Sequence, residues 1–194
     1  MADLESGGYP LKNDKWLLNG SPAVTVLPRE SVDRRDVTSD VAGVLVSGEM
    51  LSVAIPVQAG DVINDITFVS GATAAGTPTH YWFALYNEAG NLISQTADQT
   101  TAAWAAGTAK KLALPAPYVV ESETILYAAI CVVATTVPSL VCNAVALAFV
   151  SGALITGQVV RAQISGTGLT TTAPATIASP TTTANVPYAV LTNS

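Results

Sequence analysis

The chain has 194 residues, of which 49% are hydrophobic, and its formal net charge is −6 with only eight lysines and arginines. Proteins that bind DNA or RNA neutralise phosphates with clusters of such cations, so this composition argues against nucleic-acid binding. The length fits one domain that buries a sizeable core without the help of metals or disulfides.

Residues 1–40 differ in composition from the rest of the sequence. They hold seven of the 14 acidic residues and five of the eight basic ones, together with several glycines and prolines. Neither a helical nor a strand period persists there, which is typical of an extended segment. We therefore predict an extended N-terminal arm over residues 1–40, whose contacts with a partner involve Trp16, Arg29, Arg34 and Arg35. The first ten residues lack the apolar stretch of a secretory signal, so we expect assembly in a cytoplasm.

After residue 41 the sequence alternates between short apolar segments and turns, which is typical of antiparallel strands. The predicted strands are 50–57, 62–69, 80–86, 92–97, 109–114, 124–134, 141–150, 157–164 and 188–191. The clearest turn is Asn87-Glu88-Ala89-Gly90, where the asparagine and the glycine suit a type I turn followed by a left-handed residue. Pro115 and Pro117 are expected to end the strand that precedes them. The pattern predicts an all-β antiparallel sandwich over residues 41–194, jelly-roll-like, with an immunoglobulin-like fold as the alternative.

From residue 124 to the C-terminus, Arg161 is the only charged side chain. Residues 125–150 could span a bilayer by length, but residues 135–139 interrupt them with turn chemistry and no cation flanks them. We therefore expect two buried strands joined by a turn, and no contact with a membrane. The Thr-, Ala- and Pro-rich segment 166–183 is expected to dock on a surface and to contact other subunits, because uncharged surface does not repel neighbours.

Two cysteines flank the predicted turn at equal distances from its centre. Cys131 and Cys142 would face each other across a hairpin, which makes a disulfide geometrically feasible. In a protein assembled in a cytoplasm, two buried thiols are favoured over a disulfide. The sequence has no cluster of cysteines and histidines with the spacing of a zinc site.

The remaining polar candidates do not form a catalytic motif. His80 is the only histidine and has no nucleophile motif to serve, so a structural or surface role is favoured. Two carboxylate pairs, Asp61 with Asp65 and Glu121 with Glu123, are interpreted as solvated turn acids rather than a glycosidase or calcium site. We expect no catalytic residue, no metal, no cofactor and no enzymatic activity.

The strand over residues 80–86 is the most aromatic of the chain, and its side chains should alternate between two faces. One set fills the sandwich core. The other set contains Trp82 and Tyr86, and Trp104 could join it. We interpret these three rings as an exposed platform, for subunit contacts in preference to stacking on a glycan.

Several short segments of the sequence resemble small β-sandwich virion proteins of tailed bacteriophages that infect actinobacteria. The segments are GDVINDITF (60–68), TAAGTPT (73–79), WFALY (82–86), AGNL (89–92), QTAD (95–98) and TAAWAA (101–106). The resemblance covers about residues 45–150 and includes proteins of the minor tail and capsid decoration type. It implies a virion component without catalytic residues, and it does not extend to the arm.

The resemblance and the composition together lead to one functional expectation. We expect an accessory structural protein of a virion, most concretely a capsid decoration protein that binds and stabilises the shell. Its partners would be the major capsid protein or another virion protein, and other copies of itself in a homo-oligomer, expected to be a trimer. The arm would lie on the capsid lattice. The alternative is a minor tail protein that binds a receptor or a carbohydrate.

Overall fold

The computed structural model describes residues 28–41 and 43–193. These residues form thirteen β-strands and two short 3₁₀ turns, Arg34–Asp36 and Ala148–Ser151. The strands are β1 Arg29–Glu30, β2 Ser39–Val41, β3 Met50–Val57, β4 Val62–Val69, β5 Gly76–Tyr86, β6 Leu92–Gln95, β7 Ala109–Val119, β8 Thr124–Thr136, β9 Leu140–Ala144, β10 Ala162–Ser165, β11 Thr181–Thr182, β12 Asn185–Pro187 and β13 Ala189–Thr192. In the described ranges, no helix has the length and hydrophobicity that crossing a membrane requires.

All strand pairs are antiparallel, and the strands form two large sheets and one small sheet. The strand orders are β1–β13–β4–β7, β11–β10–β3–β8–β5–β6 and β12–β9–β2. The prediction of an all-β antiparallel sandwich is confirmed. A jelly roll has eight strands in two Greek keys, and sheets of four and six strands do not confirm that finer part of the prediction.

The main core lies between the four-stranded and six-stranded sheets. Because successive side chains of a strand point to opposite faces, β5 directs Tyr81, Phe83 and Leu85 into this core. Phe68 of β4 meets Phe83 edge to face, with ring centroids 4.9 Å apart, and Trp104 meets Phe83 at 5.9 Å. The aromatic strand therefore joins the two sheets at the centre of the sandwich.

The outer face of the six-stranded sheet carries a second buried cluster. Its larger members are Met50, Trp82, Tyr86, Tyr127 and Cys131. Residues 166–183, which we call the covering segment, lie over this cluster and contribute the apolar side chains Leu169, Ala173 and Ile177. The N–H of Leu169 donates to the carbonyl of Gly48, and that of Ile177 donates to the carbonyl of Gly90. The covering segment is thus fixed at two points to turns that adjoin the sheet, one before β3 and one between β5 and β6.

Strand β7 does not end where the sequence predicts. It continues through Pro115 and Pro117 to Val119. β7 is the edge strand of its sheet, so no neighbouring strand requires the N–H groups that the prolines lack. The pairing with β4 is irregular between Ile63 and Asp65, near the same place.

The predicted hairpin around residues 135–139 is wrong. β8 pairs with β3 and β5, whereas β9 pairs with β2 and β12, so the chain changes sheets between Thr136 and Leu140. Pro138 lacks the N–H that a tight hairpin ladder would use. The strand predicted over 141–150 ends at Ala144, and the chain continues as a loop to β10.

Part of the predicted arm belongs to the folded body. β1 pairs with β13, and β2 pairs with β9. The hydroxyl of Ser31 donates to the carbonyl of Pro187 at 2.7 Å, and the N–H of Ala189 donates back to that hydroxyl at 2.9 Å. β1 and β2 therefore attach residues 28–40 to the sheets, and residues 1–27 lie outside the described part of the chain.

Candidate docking surface

The structure places the three rings of the predicted platform in the interior. Trp82 and Tyr86 are fully buried and Trp104 is 1% exposed. The indole N–H of Trp82 donates to the carbonyl of Thr170 at 2.7 Å, and the hydroxyl of Tyr86 donates to the carbonyl of Pro174 at 2.8 Å. Burial also raises the pKa of Tyr86 well above its usual range. The expectation of an exposed platform is wrong here, because the covering segment occupies the face on which Trp82 and Tyr86 lie.

The basic residues predicted to contact a partner are instead paired within the chain. Arg29 binds both carboxylate oxygens of Asp61, at 2.6 and 2.7 Å. Arg34 lies 3.1 Å from Glu30, and Arg35 lies 2.7 Å from Asp33. Trp16, the fourth predicted contact, lies outside the described residues.

The predicted carboxylate pairs do not converge on a site. Asp61 is held by Arg29, while Asp65 is buried with its carboxylate 3.3 Å from the ammonium of Lys111. Glu121 and Glu123 are exposed on the loop between β7 and β8. Within the described ranges, no three side chains of histidine, cysteine, aspartate or glutamate are grouped as metal ligands.

His80 is paired with a carboxylate that also fixes the neighbouring backbone. Its Nδ1 lies 2.7 Å from Oδ2 of Asp98. The other oxygen of Asp98 accepts from the N–H groups of Tyr81 and Thr100, each at 3.0 Å. Asp98 thus ties the loop after β6 to the middle of β5.

The two cysteines are free and buried on different sides of the larger sheet. Cys131 belongs to the cluster under the covering segment, and Cys142 belongs to the main core. Burial raises the pKa of each thiol to about 12. Because β8 and β9 lie in different sheets, the two thiols do not face each other across a hairpin.

The main apolar surface of the described residues lies on the loop between β9 and β10, of which the sequence predicts residues 145–150 and 157–161 as strand. Five of its side chains are between 37% and 67% exposed: Leu147, Phe149, Val150, Leu154 and Ile155. We call these five residues the apolar loop. Main-chain hydrogen bonds hold the loop together locally. The N–H of Val150 donates to the carbonyl of Leu147, and the N–H of Gly152 donates to the carbonyl of Phe149. Solvent-exposed side chains of this size mark contact sites when they are grouped.

A groove runs from the apolar loop to the first described residues. It consists of two adjoining depressions, of about 610 Å³ and about 530 Å³, that share Ile125, Val159 and Arg161 in their walls. The first is bordered by Val150 and Leu154 of the apolar loop. The second is lined by Ala54, Pro56 and residues 28–33. We call the two depressions together the N-terminal groove.

The floor of the N-terminal groove is the part of the outer sheet face that the covering segment leaves open. Pro56 of β3 pairs with Ile125 of β8, and Ala54 lies two residues before Pro56 on the same face. Glu30, which borders the groove, has one buried carboxylate oxygen that accepts no hydrogen bond from any described residue. The groove therefore combines an apolar floor with an unsatisfied acceptor at its margin.

No protein-family model matches this chain, and no curated protein matches it significantly.

Proposed function

We propose that the protein is an accessory structural protein of a tailed-bacteriophage virion, and most concretely a capsid decoration protein. It would bind the major capsid protein, or another virion protein, as a homo-oligomer, with a trimer as the expected state. The proposal rests on the resemblance of residues 45–150 to small virion proteins and on the surface properties described above.

One observation carries the proposal furthest: the outward side of the covering segment is exposed and uncharged. Residues 170–172 and 178–181 are exposed, and the segment contains no ionisable side chain. A surface of threonines, alanines and prolines offers hydroxyl groups and small apolar groups without the desolvation cost of burying charges. Such a surface is compatible with close packing against a neighbouring subunit.

Repetition over a lattice would compensate for modest affinity at each contact. When one oligomer engages several equivalent sites, each later contact forms at a high effective concentration. The sandwich suits this role because the covering segment is held rigidly by hydrogen bonds to its own sheet. A rigid surface loses little conformational entropy on binding.

A minor tail protein that binds a receptor or a carbohydrate is the second candidate, because the resemblance includes such proteins. Sugar binding through Trp82, Tyr86 and Trp104 has no support, since all three rings are buried in this conformation. A tail function would require another ligand surface.

The number of copies per particle separates the two candidates. Quantitative mass spectrometry of purified virions, with the major capsid protein as internal standard, should find hundreds of copies if the protein decorates the shell. A dozen copies or fewer would exclude decoration and favour the tail. Absence of the protein from purified particles would refute both.

A surface charge tests which face makes the contact. Thr172→Glu places a carboxylate on the exposed side of the covering segment, and we expect it to reduce occupancy on particles without unfolding the protein. Thr101→Glu, at an exposed position outside the segment, is the matched control. Equal occupancy of the two variants would show that the covering segment is not the contact surface.

A further inference from the structure

We propose that the N-terminal segment of the same chain docks in the N-terminal groove, with Trp16, Leu17 and Leu18 seated against the apolar loop. This interaction surface is independent of the virion proposal, because it concerns how one copy covers its own apolar surface.

The position of the groove gives the first argument. Pro28, the first described residue, and residues 29–33 form one wall of the groove. The chain that precedes Pro28 therefore joins the described part of the protein beside the groove. Nine residues lie between Leu18 and Pro28, and the ten peptide steps of an extended chain reach up to about 35 Å. The segment is thus long enough to run along the groove towards the apolar loop.

The chemistry of the segment matches that of the groove. Residues 23–27 read Ala-Val-Thr-Val-Leu, an alternating apolar pattern, and Trp16, Leu17 and Leu18 form a second apolar group. The floor presents Ala54, Pro56, Ile125 and Val159. Burial of such side chains stabilises by roughly 25 cal/mol for each Å² removed from water.

Two polar groups at the margin also fit an incoming chain. The free carboxylate oxygen of Glu30 requires a hydrogen-bond donor, which an extended backbone supplies at each non-proline residue. Arg161, which lies in the walls of both depressions, forms no ion pair with the described residues. Asp14, two residues before Trp16, supplies an opposite charge close to the apolar group, with Lys12 and Lys15 beside it in the sequence.

The size of the apolar surface argues against a second copy as the occupant. Five partly exposed side chains amount to a few hundred Å², comparable to the largest patch on an ordinary monomer. Stable association of two proteins buries roughly 800 Å² on each partner. A short segment of chain matches the patch better than another folded domain does.

Tethering favours the chain's own segment over that of a neighbouring copy. A segment attached at Pro28 docks without the translational and rotational entropy loss that association of two molecules incurs. A lipid surface is a poorer occupant, because the cations that line the groove are Arg161 and Arg29, and Arg29 is paired with Asp61. Anionic headgroups attract clusters of basic residues.

Photocrosslinking in the full-length chain tests this docking without knowledge of its register. Phe149→p-benzoylphenylalanine, at a 60% exposed position of the apolar loop, should crosslink to a peptide from residues 1–27 and migrate at the size of one chain. Val119→p-benzoylphenylalanine, at a 55% exposed position outside the groove, should give little of that product. Peptide mapping by mass spectrometry identifies both ends of each crosslink.

A pair of substitutions in the segment provides the second measurement. Leu17→Ser combined with Leu18→Ser should lower the yield of the crosslink several-fold, whereas Tyr9→Ser should leave it unchanged. Products of the size of two chains would overturn the proposal in favour of a neighbouring copy. Single-chain crosslinks to other segments, or no crosslink at all, would show that the N-terminal segment does not occupy the groove. Copy number on virions does not affect any of these outcomes.

Discussion

Arg29 and Asp61 form a two-point ion pair that joins the first described strand to the turn between β3 and β4. The guanidinium donates to both carboxylate oxygens, at 2.6 and 2.7 Å, and also reaches the side-chain oxygen of Gln58 at 3.1 Å. The two side chains are only 16% and 9% exposed. Parallel N–H···O bonds of this kind are stronger and more directional than a single exposed ion pair. The pair therefore fixes β1 against the body of the sandwich.

Loss of this pair should destabilise the protein measurably. We expect Arg29→Met to lower the free energy of unfolding by about 2 kcal/mol at pH 7, because Asp61 then keeps a largely buried charge with fewer partners. Urea denaturation followed by tryptophan fluorescence measures the change. The exposed pair of Arg35 with Asp33 provides the matched control, and Arg35→Met should have little effect. Equal effects of the two substitutions would contradict the assigned importance of Arg29.

The same pair predicts a loss of stability in acid. Burial alone would raise the pKa of Asp61, but the hydrogen bonds from Arg29 and from the N–H of Gln58 outweigh it and hold that pKa below the ordinary 3.8. The ionised carboxylate thus stabilises the fold above about pH 4, and this contribution is lost as the pH falls through the lower folded pKa. Denaturation midpoints between pH 2 and pH 6 should therefore fall more steeply for the wild type than for Asp61→Asn. If the midpoints of the two proteins fall in parallel, Asp61 is not the source of the acid sensitivity.

Removal of the Tyr86 hydroxyl should loosen the covering segment. Tyr86→Phe deletes the donor to the Pro174 carbonyl and should cost about 1 kcal/mol, since the carbonyl loses a buried partner. We expect faster amide exchange of Leu169 and Ile177, whose N–H groups hold the two ends of the segment. Tyr118→Phe on β7 is the control and should leave that exchange unchanged. Unaltered exchange in Tyr86→Phe would show that the apolar contacts alone hold the segment.

Both thiols should be inert in the native protein. A pKa of about 12 leaves roughly one thiol in ten thousand ionised at pH 8, and the thiolate is the reactive form. A disulfide-exchange reagent should therefore react with neither cysteine until urea unfolds the chain, and then with both. Fast reaction under native conditions would mean that one of the two sites opens readily.

Two deletions should behave very differently. Deletion of residues 1–40 removes β1, Arg29 and the reciprocal hydrogen bonds of Ser31 with the C-terminal strands, so we expect poor folding and a large loss of thermal stability. Deletion of residues 1–27 leaves every hydrogen bond described here in place and should retain the native circular dichroism spectrum. A stable sandwich after the longer deletion would show that β1 and most of β2 contribute little.

The strands most accurately predicted are those whose local signals agree with their tertiary surroundings. β3 and β4 have the predicted bounds because apolar alternation and the Gln58–Asp61 turn mark them clearly. The turn after β5 forms as predicted, with Gly90 at a φ of +80° and the side chain of Asn87 accepting from the N–H of Asn91. The local sequence predicts these elements correctly because no contact with another part of the chain opposes its preference.

The predictions fail where contacts with distant parts of the chain, and not the local sequence, determine the structure. Pro115 and Pro117 are tolerated because β7 is an edge strand, which only the sheet order reveals. Trp82 is buried because a segment 88 residues later in the chain accepts its N–H, a contact that periodicity cannot show. The apolar loop resembles a strand in composition, yet it has no partner in either large sheet. Hydrophobicity alone therefore did not distinguish a buried strand from an exposed contact surface.

The covering segment meets the sheet largely through main-chain carbonyls. Trp82, Tyr86 and Gln95 each donate to a carbonyl, those of Thr170, Pro174 and Thr171 respectively. The outward side chains of the segment are therefore free to change without loss of these bonds. Mutation of these outward side chains could change which protein the segment binds, while the sandwich beneath keeps its structure.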